Sequence, residues 1–345
     1  MTNLASQTGR QQGSLAQGLV WLIKYAFVLL FAAMVFYFSI ATDAFLSPSN
    51  LLNILRGSVI VLVIALALTM VISSGGIDLS VGVALDFGAW FAIVSMASWG
   101  LPWPVALVVA LIAGSVIGAL NAVLIVGLGV TPFLATLGTF FIGRSIQQIG
   151  TGGGANISFR QAPEGFVNLT QGSLFGLSTI LWIGFLVLAI YYIVLERSTH
   201  GRRIASLGMQ NSAAKVAGID TNAYRVWVYV ASAATAAVGG ILLSSGLRIF
   251  TPLAGFSYLL DGIAAVFIGA SLHRDGRPNV VGTLIGVLFL GALATGLDLL
   301  GIDFNVKAAL KGLALVLAIA LALIVSQRLP AVEAWFERRR DTAVR

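Results

Sequence analysis

Long apolar runs separated by short polar breaks set the pattern of this chain. They lie near 21–41, 53–73, 81–99, 103–127, 131–149, 176–195, 225–246, 258–272, 280–298 and 307–326, the eighth being the shortest. A helix of roughly 20 apolar residues crosses ~30 Å of hydrocarbon. The pattern therefore predicts an all-α, polytopic membrane protein of about ten transmembrane helices, forming a single body over 1–345. No small-residue cleavage motif follows the first run, which reads as a retained helix and not as a signal peptide. An even number of spans puts both termini on one side.

One stretch interrupts the pattern. Val71 to Trp90 reads VISSGGIDLSVGVALDFGAW, with small and polar residues between two apolar flanks. The 74–80 link carries no Lys or Arg and a single carboxylate, Asp78. Non-helical backbone at membrane depth is tolerated only where protein buries it or water reaches it. The expectation is a broken-helix element at Gly75 and Gly76 beside a polar pathway.

Composition agrees with the periodicity and adds orientation. Hydrophobic residues make up 58% of the chain and charged residues 10%, against roughly 25% charged in a soluble domain. The net charge of +7 is a topology signal. With both termini cytoplasmic, that face receives Arg10, Lys24, Arg197, Arg202, Arg203, Lys215, Arg225, Arg274, Arg277, Arg328, Arg338, Arg339, Arg340 and Arg345. The other face keeps Arg56, Arg160, Arg248, Lys307 and Lys311, and Arg144 lies within a span. This asymmetry obeys the positive-inside rule. It makes 1–20 a polar cytoplasmic tail, 196–225 a long cytoplasmic loop and 328–345 a basic cytoplasmic tail. Cations clustered beside membrane spans, with no basic soluble segment, speak against nucleic acid.

The chain contains no cysteine, and its two histidines, His200 and His273, stand far apart. Disulfides and thiolate metal sites are excluded, and no metal-ligand pattern remains. Nor does any span hold a Ser/His or paired-His constellation, which argues against an intramembrane enzyme.

The long loop, ERSTHGRRIASLGMQNSAAKVAGIDTNAYR, reads as holding a short helix from about Gln210 to Ala217. Asn211 or Ser212 would cap it and Gly218 would stop it. Its apolar side is small: Ala213, Ala214, Val216, Ala217 and Ile219. Such a face suits docking into a groove on a soluble partner. A helix lying on lipid would show Trp, Phe or Leu there.

Ionisable and amide groups inside the spans mark candidate path residues, because each needs a partner or water. They are Ser74, Asp78, Asp86, Asn121, Thr136, Arg144, Gln147 and Asp261. Arg144 and Gln147 share a helix face at i, i+3. Two readings stand for Asp86 and Arg144: both line a polar path, or they form an ion pair locking two helices. Asp78 reads as accepting N–H bonds at the start of the third helix. Asp261 reads equally as a ligand or as an N-cap beginning its span. Asn121 reads as an interhelical hydrogen bond, near a close-packing Gly114/Gly118 face.

GGIDLSVG after the second run and SLGMQNSAAKVAGID after the sixth resemble the permease subunits of ribose-type monosaccharide ABC importers. LLDGIAAVFIGASL and the stretch from Asn279 to Leu321 resemble the same family, so the likeness covers roughly 45–328. Departures are Leu259-Leu260-Asp261 before the eighth run, HRDGRPN after it, and Met209-Gln210 in the loop. The resemblance implies a subunit of the bacterial inner (cytoplasmic) membrane that pairs with a second permease copy. It also implies a cytoplasmic ABC ATPase and a periplasmic sugar-binding protein as partners. The 196–225 loop would then carry a coupling helix, with Gly208, Asn211, Ala214, Lys215, Gly218 and Ile219 as the ATPase-coupling residues. This chain would bind no cofactor, since ATP and Mg would belong to the ATPase. With no Gly-Lys dipeptide the chain has no phosphate loop of its own. The expected function is inward transport of a monosaccharide or related polyol. The alternatives are a nucleoside or branched-chain amino-acid permease of the same superfamily, or a stand-alone secondary transporter.

Overall fold

The computed structural model describes residues 27–273 and 275–323. The predicted tails, the first six residues of the first run, and the cations Arg10, Lys24, Arg274, Arg328, Arg338, Arg339, Arg340 and Arg345 lie outside the described residues.

The fold is all-α, as the apolar periodicity predicts. The helices are α1 (Phe27–Ala41), α2 (Pro48–Ser73), α3 (Val81–Ala97), α4 (Trp103–Ala122), α5 (Pro132–Gly150), α6 (Glu164–Gln171), α7 (Thr179–Tyr191), α8 (Thr199–Val216), α9 (Thr221–Leu247), α10 (Gly255–Ser271), α11 (Val280–Leu299) and α12 (Phe304–Leu323). One π-helical turn prolongs α4 to Gly127 and another prolongs α7 to Arg197. Among the described residues five helices are long and apolar enough to cross a membrane: α2, extended α4, extended α7, α9 and α11, with α1, α3 and α10 as shorter apolar helices. This is a polytopic membrane protein.

Local chemistry sets the helix starts. Pro48 and Pro132 occupy first-turn positions, where a missing N–H costs nothing. Ser47 accepts from the Asn50 N–H at 3.3 Å, and Asp220 accepts from Asn222 and Ala223 at the head of α9.

The core is built on α9, which packs extensively on α2, α3 and α4. Small residues permit that approach. A Cβ on Gly114 would collide with the Ala237 side chain, and one on Gly118 with the Tyr229 carbonyl. The Gly114/Gly118 face therefore meets α9. On the other flank α10 and α11 pack on each other and on α2.

The connections gather at two ends. At one end β1 (Ile157–Ser158) pairs antiparallel with β4 (Ile249–Phe250), joining the loop after α5 to the loop after α9. A second pair, β2 (Ser173–Leu174) and β3 (Leu177–Ser178), forms a hairpin before α7. At the other end α8 lies on the 74–80 link. There Thr136 donates to the Ile77 carbonyl at 3.2 Å, and the Val280 N–H donates to Glu196 at 2.9 Å.

Asp261 is not the N-cap that was one of its two sequence readings. It is the seventh residue of α10, and its Oδ2 accepts from Lys311 of α12 at 2.7 Å. Both side chains are mostly buried. Lys311→Met is expected to destabilise the protein by roughly 1.5–3 kcal/mol, because a charged hydrogen bond is lost and the carboxylate stays behind. Adding Asp261→Asn should recover part of that loss, read as the unfolding midpoint by tryptophan fluorescence in detergent.

Candidate functional site

Three groups of residues carry the candidate chemistry, beginning with the 74–80 link. Here α2 ends at Ser73 and Gly75 takes φ +82°, a backbone region that glycine enters without steric cost. Gly75 and Gly76 therefore sit at an actual helix break. Most of the following segment is buried, Asp78 and Ser80 completely. Asp78 Oδ1 accepts from the Ser80 N–H at 2.8 Å and from the Ser80 hydroxyl at 2.6 Å, immediately before α3. Asn121 of α4 donates from Nδ2 to Ser80 Oγ at 2.6 Å. Thr136 of α5 holds Ile77, as above, while the Ser74 hydroxyl donates to the Val71 carbonyl at 2.7 Å. Four predicted path residues thus converge on the link and tie it to α2, α3, α4 and α5.

Tyr229 of α9 completes this group, and sequence reasoning missed it. A Cβ on Gly76 would collide with the Tyr229 hydroxyl. Tyr229 lies in an apolar run with no polar periodicity, so nothing in the sequence distinguishes it from a core aromatic.

The second group lies where α3, α5 and α10 meet. Asp86 is 2% exposed, and its Oδ1 accepts from the Gly255 N–H at 2.7 Å. Gly255 opens α10, whose own N-cap residue, Ala254, supplies no side-chain hydrogen bond. The α3 carboxylate therefore caps α10 in trans, meeting both the free N–H groups and the positive end of the helix dipole. Beside it the fully buried Gln147 accepts from the Leu253 N–H at 3.0 Å.

Asp86, Arg144 and Gln147 line a common cavity of about 140 Å³ with Val83, Phe140, Leu253 and Phe256. The Asp86–Arg144 ion pair considered from sequence is not formed: no carboxylate lies within 4 Å of Arg144 among the described residues. The buried carboxyl of Asp86 is met by the α10 terminus instead. Arg144 is exposed on α5, a helix that also exposes Phe141, Ile142, Ile146 and Ile149. A cation facing acyl chains is costly, so the exposed side of α5 suits water or another chain.

The third group is the long loop. Sequence placed one short helix at 210–217; the structure forms α8 from Thr199, broken at Gln210, whose φ −159° and ψ 95° are extended. Ser198 starts the first segment by accepting from His200 and Gly201. The extended Gln210 opens the second segment, and the Asn211 Oδ1 finds no hydrogen-bond partner among the described residues. Asn211 does not cap it. The stop at Gly218 forms as expected: Gly218 N–H donates to the Lys215 carbonyl and Ile219 N–H to the Ala214 carbonyl, with φ +78° at Gly218. This is the paired bond pattern of a Schellman motif.

Ala214 is buried and faces inward, so it is not part of the exposed docking side as its sequence reading had it. Met209 and Val216 are the large apolar residues exposed there. A shallow concavity of about 450 Å³ is lined by Gln210, Ser212, Ala213, Val216 and Ala217. Gly208 makes the closest link to the first group. A Cβ there would collide with the Ser73 carbonyl and come within 2.9 Å of the Gly75 nitrogen. The loop helix and the helix break therefore touch backbone to backbone.

Comparison with known proteins bears on these same elements. The ribose import permease protein RbsC of Haemophilus influenzae is 34% identical over 282 residues, covering 81% of this chain and 87% of that one. The ribose import permease protein RbsC of Bacillus subtilis is 35% identical over 288 residues, covering 84% and 89%. The autoinducer 2 import system permease protein LsrD of Photorhabdus temperata is 30% identical over 324 residues, covering 92% and 96%. No solved structure matches. Residues 50–324 match the family profile described as branched-chain amino acid transport system / permease component. That match runs from α2 to α12 and includes all three residue groups, and on it the chain belongs to this family of transport-system permeases.

Proposed function

We propose that this chain is the membrane-spanning subunit of a binding-protein-dependent ABC importer that moves a monosaccharide or related polyol inward. The observation that carries the reading is the contact between Gly208 in the loop helix and the Ser73–Gly75 break. A push on α8 reaches the link directly. From there hydrogen bonds lead to α3, α4 and α5, and α5 bears the Arg144 cavity. Energy would come from ATP and Mg on a cytoplasmic partner ATPase docked at Met209 and Val216. A second permease copy, identical or paralogous, would meet the exposed face of α5. The apolar runs and the positive-inside count support ten spans with both termini cytoplasmic, and the bacterial import permeases among the relatives support an inner-membrane location.

Sugar as cargo is supported by the names of the relatives and by chemistry. Arg144, Asp86 and Gln147 beside Phe140 and Phe256 offer planar polar groups next to aromatic rings, which suits hydroxyl-rich rings with apolar faces. The cavity is small, consistent with a path that holds its substrate weakly and releases it.

The test uses the full chain in nanodiscs with its ATPase and binding protein. ATP hydrolysis is followed against pentoses, hexoses, a polyol, a nucleoside and leucine. Stimulation by one sugar, lost when 210–219 is scrambled, is the expected result; stimulation by leucine or the nucleoside alone would replace the cargo. Sugar flux driven by a proton gradient without any ATPase would establish a secondary transporter instead. The trans-cap on Asp86 speaks against that reading, since it engages the carboxylate a proton relay would need free.

A further inference from the structure

We propose that the β2–β3 hairpin is a lipid-interface anchor that seats the end of α7 at the membrane surface. The inference rests on the membrane-spanning fold alone and holds whatever the cargo.

The hairpin is a two-residue turn, with Ser173 opposite Ser178 and Leu174 opposite Leu177. Phe175 and Gly176 form its tip at φ +53° and +80°. Positive φ at both central residues is the type I′ geometry, for which Asn-Gly is the favoured pair. Phenylalanine at the first position is strained, and its ring is 88% exposed. Placing a large apolar ring there costs backbone energy and gains nothing in water; inserted among acyl chains and headgroups it loses that exposed surface.

The surroundings point to lipid. Leu174 and Leu177 are also exposed. The Trp182 indole N–H donates to the Leu174 carbonyl at 3.0 Å, and its ring lies edge-on to Phe175 at 6.5 Å. Trp182 opens an exposed stripe on α7 that continues through Phe185, Leu186, Ile190 and Ile193. These positions recur at helical spacing on one face. Of the five long apolar helices, α7 has the smallest buried share, 17%. The hairpin is thus continuous with the least buried of these five helices.

Charge completes the argument. No charged residue occurs between Glu164 and Glu196. A docking surface for a soluble protein carries a polar rim, whereas Trp at the end of a span marks the interfacial belt. The anchor is also tied to the core. Thr170 and Ser245 share a hydrogen bond at 3.0 Å, and Gln171 donates to the Gly246 carbonyl at 3.1 Å. These join α6, just before the hairpin, to the end of α9.

Because the chain lacks cysteine, Phe175→Cys provides a single labelling site for an environment-sensitive fluorophore, with Leu177→Cys as a second position. Gly153→Cys, at an exposed position of the loop after α5 at the same end, serves as the aqueous reference. In nanodiscs, lipids carrying a nitroxide near the headgroup should quench the labels at 175 and 177 several-fold more than aqueous iodide does. The label at 153 should show the reverse. Iodide quenching at 175 and 177 equal to that at 153 would overturn the anchor. Shielding from both quenchers would also overturn it, and would assign the hairpin to a contact with another protein chain.

Discussion

Gly208→Val is expected to lower ATP-driven uptake at least tenfold while the subunit still inserts and still binds its ATPase. The isopropyl group would be built into the Ser73 carbonyl and the Gly75 nitrogen. Both are backbone atoms, which cannot swing aside as a side chain can. Overpacking of this kind costs roughly 1–3 kcal/mol, and about 1.4 kcal/mol is a factor of ten in an equilibrium. That energy falls on the contact through which α8 would act on the link. ATPase binding should survive, because the substitution leaves Met209 and Val216 exposed. The diagnostic split is therefore retained association and basal hydrolysis with lost sugar-stimulated uptake. Gly57→Ala, at a helical glycine with nothing within 4 Å of the added carbon, controls for glycine replacement and should leave uptake unchanged. Full uptake by Gly208→Val would remove the link from the coupling route.

The long apolar helices were legible because one physical scale, the thickness of hydrocarbon, writes itself into run length. The predicted run 280–298 against α11 at Val280–Leu299, and 103–127 against α4 with its π-helical turn, Trp103–Gly127, show how closely that scale fixes boundaries. The break at 74–80 was legible for a related reason: Gly75, Gly76 and Asp78 cannot prolong an apolar helix cheaply. Elements that hydrocarbon does not police were harder to read. The first half of α8 buries Gly201, Ile204 and Leu207. That sparse stripe sits among arginines and glycines and gives no strong helical period. The partner of Asp86 was illegible for another reason. Its donor is a backbone N–H 169 residues away, and sequence shows side-chain charges but not the free end of a helix. Arg144 was the visible cation, so the pair was weighed from the wrong inventory. Asp261 erred the other way: its start-of-span position hid a lysine on α12.

Asp86→Ala should be among the most destabilising single changes in the membrane body, and its pattern separates the trans-cap from an ion pair. The substitution leaves the Gly255 N–H buried without its acceptor, which costs roughly 1–3 kcal/mol. It also removes a negative charge from a helix N-terminus, worth up to about 2 kcal/mol in a partly buried setting. A total of order 3 kcal/mol is expected, read as a lowered unfolding midpoint by tryptophan fluorescence in detergent. Asp86→Asn keeps an acceptor at the same place without the charge, and should recover the hydrogen-bond share of the loss only. Asp86→Glu should not, because the side facing Gly255 has no room for a further methylene: a Cβ on Gly255 would already lie 3.0 Å from Asp86 Cγ and collide with the Gly82 carbonyl. Arg144→Ala supplies the contrast. With the charge of Asp86 met by α10, Arg144 can be removed without orphaning an anion, so the unfolding midpoint should stay put while sugar uptake falls. Were the two residues an ion pair in the membrane, Arg144→Ala would destabilise about as much as Asp86→Ala, and the double variant would add little. Stability unchanged in Arg144→Ala and lost in Asp86→Ala leaves the carboxylate to the scaffold and the guanidinium to the path.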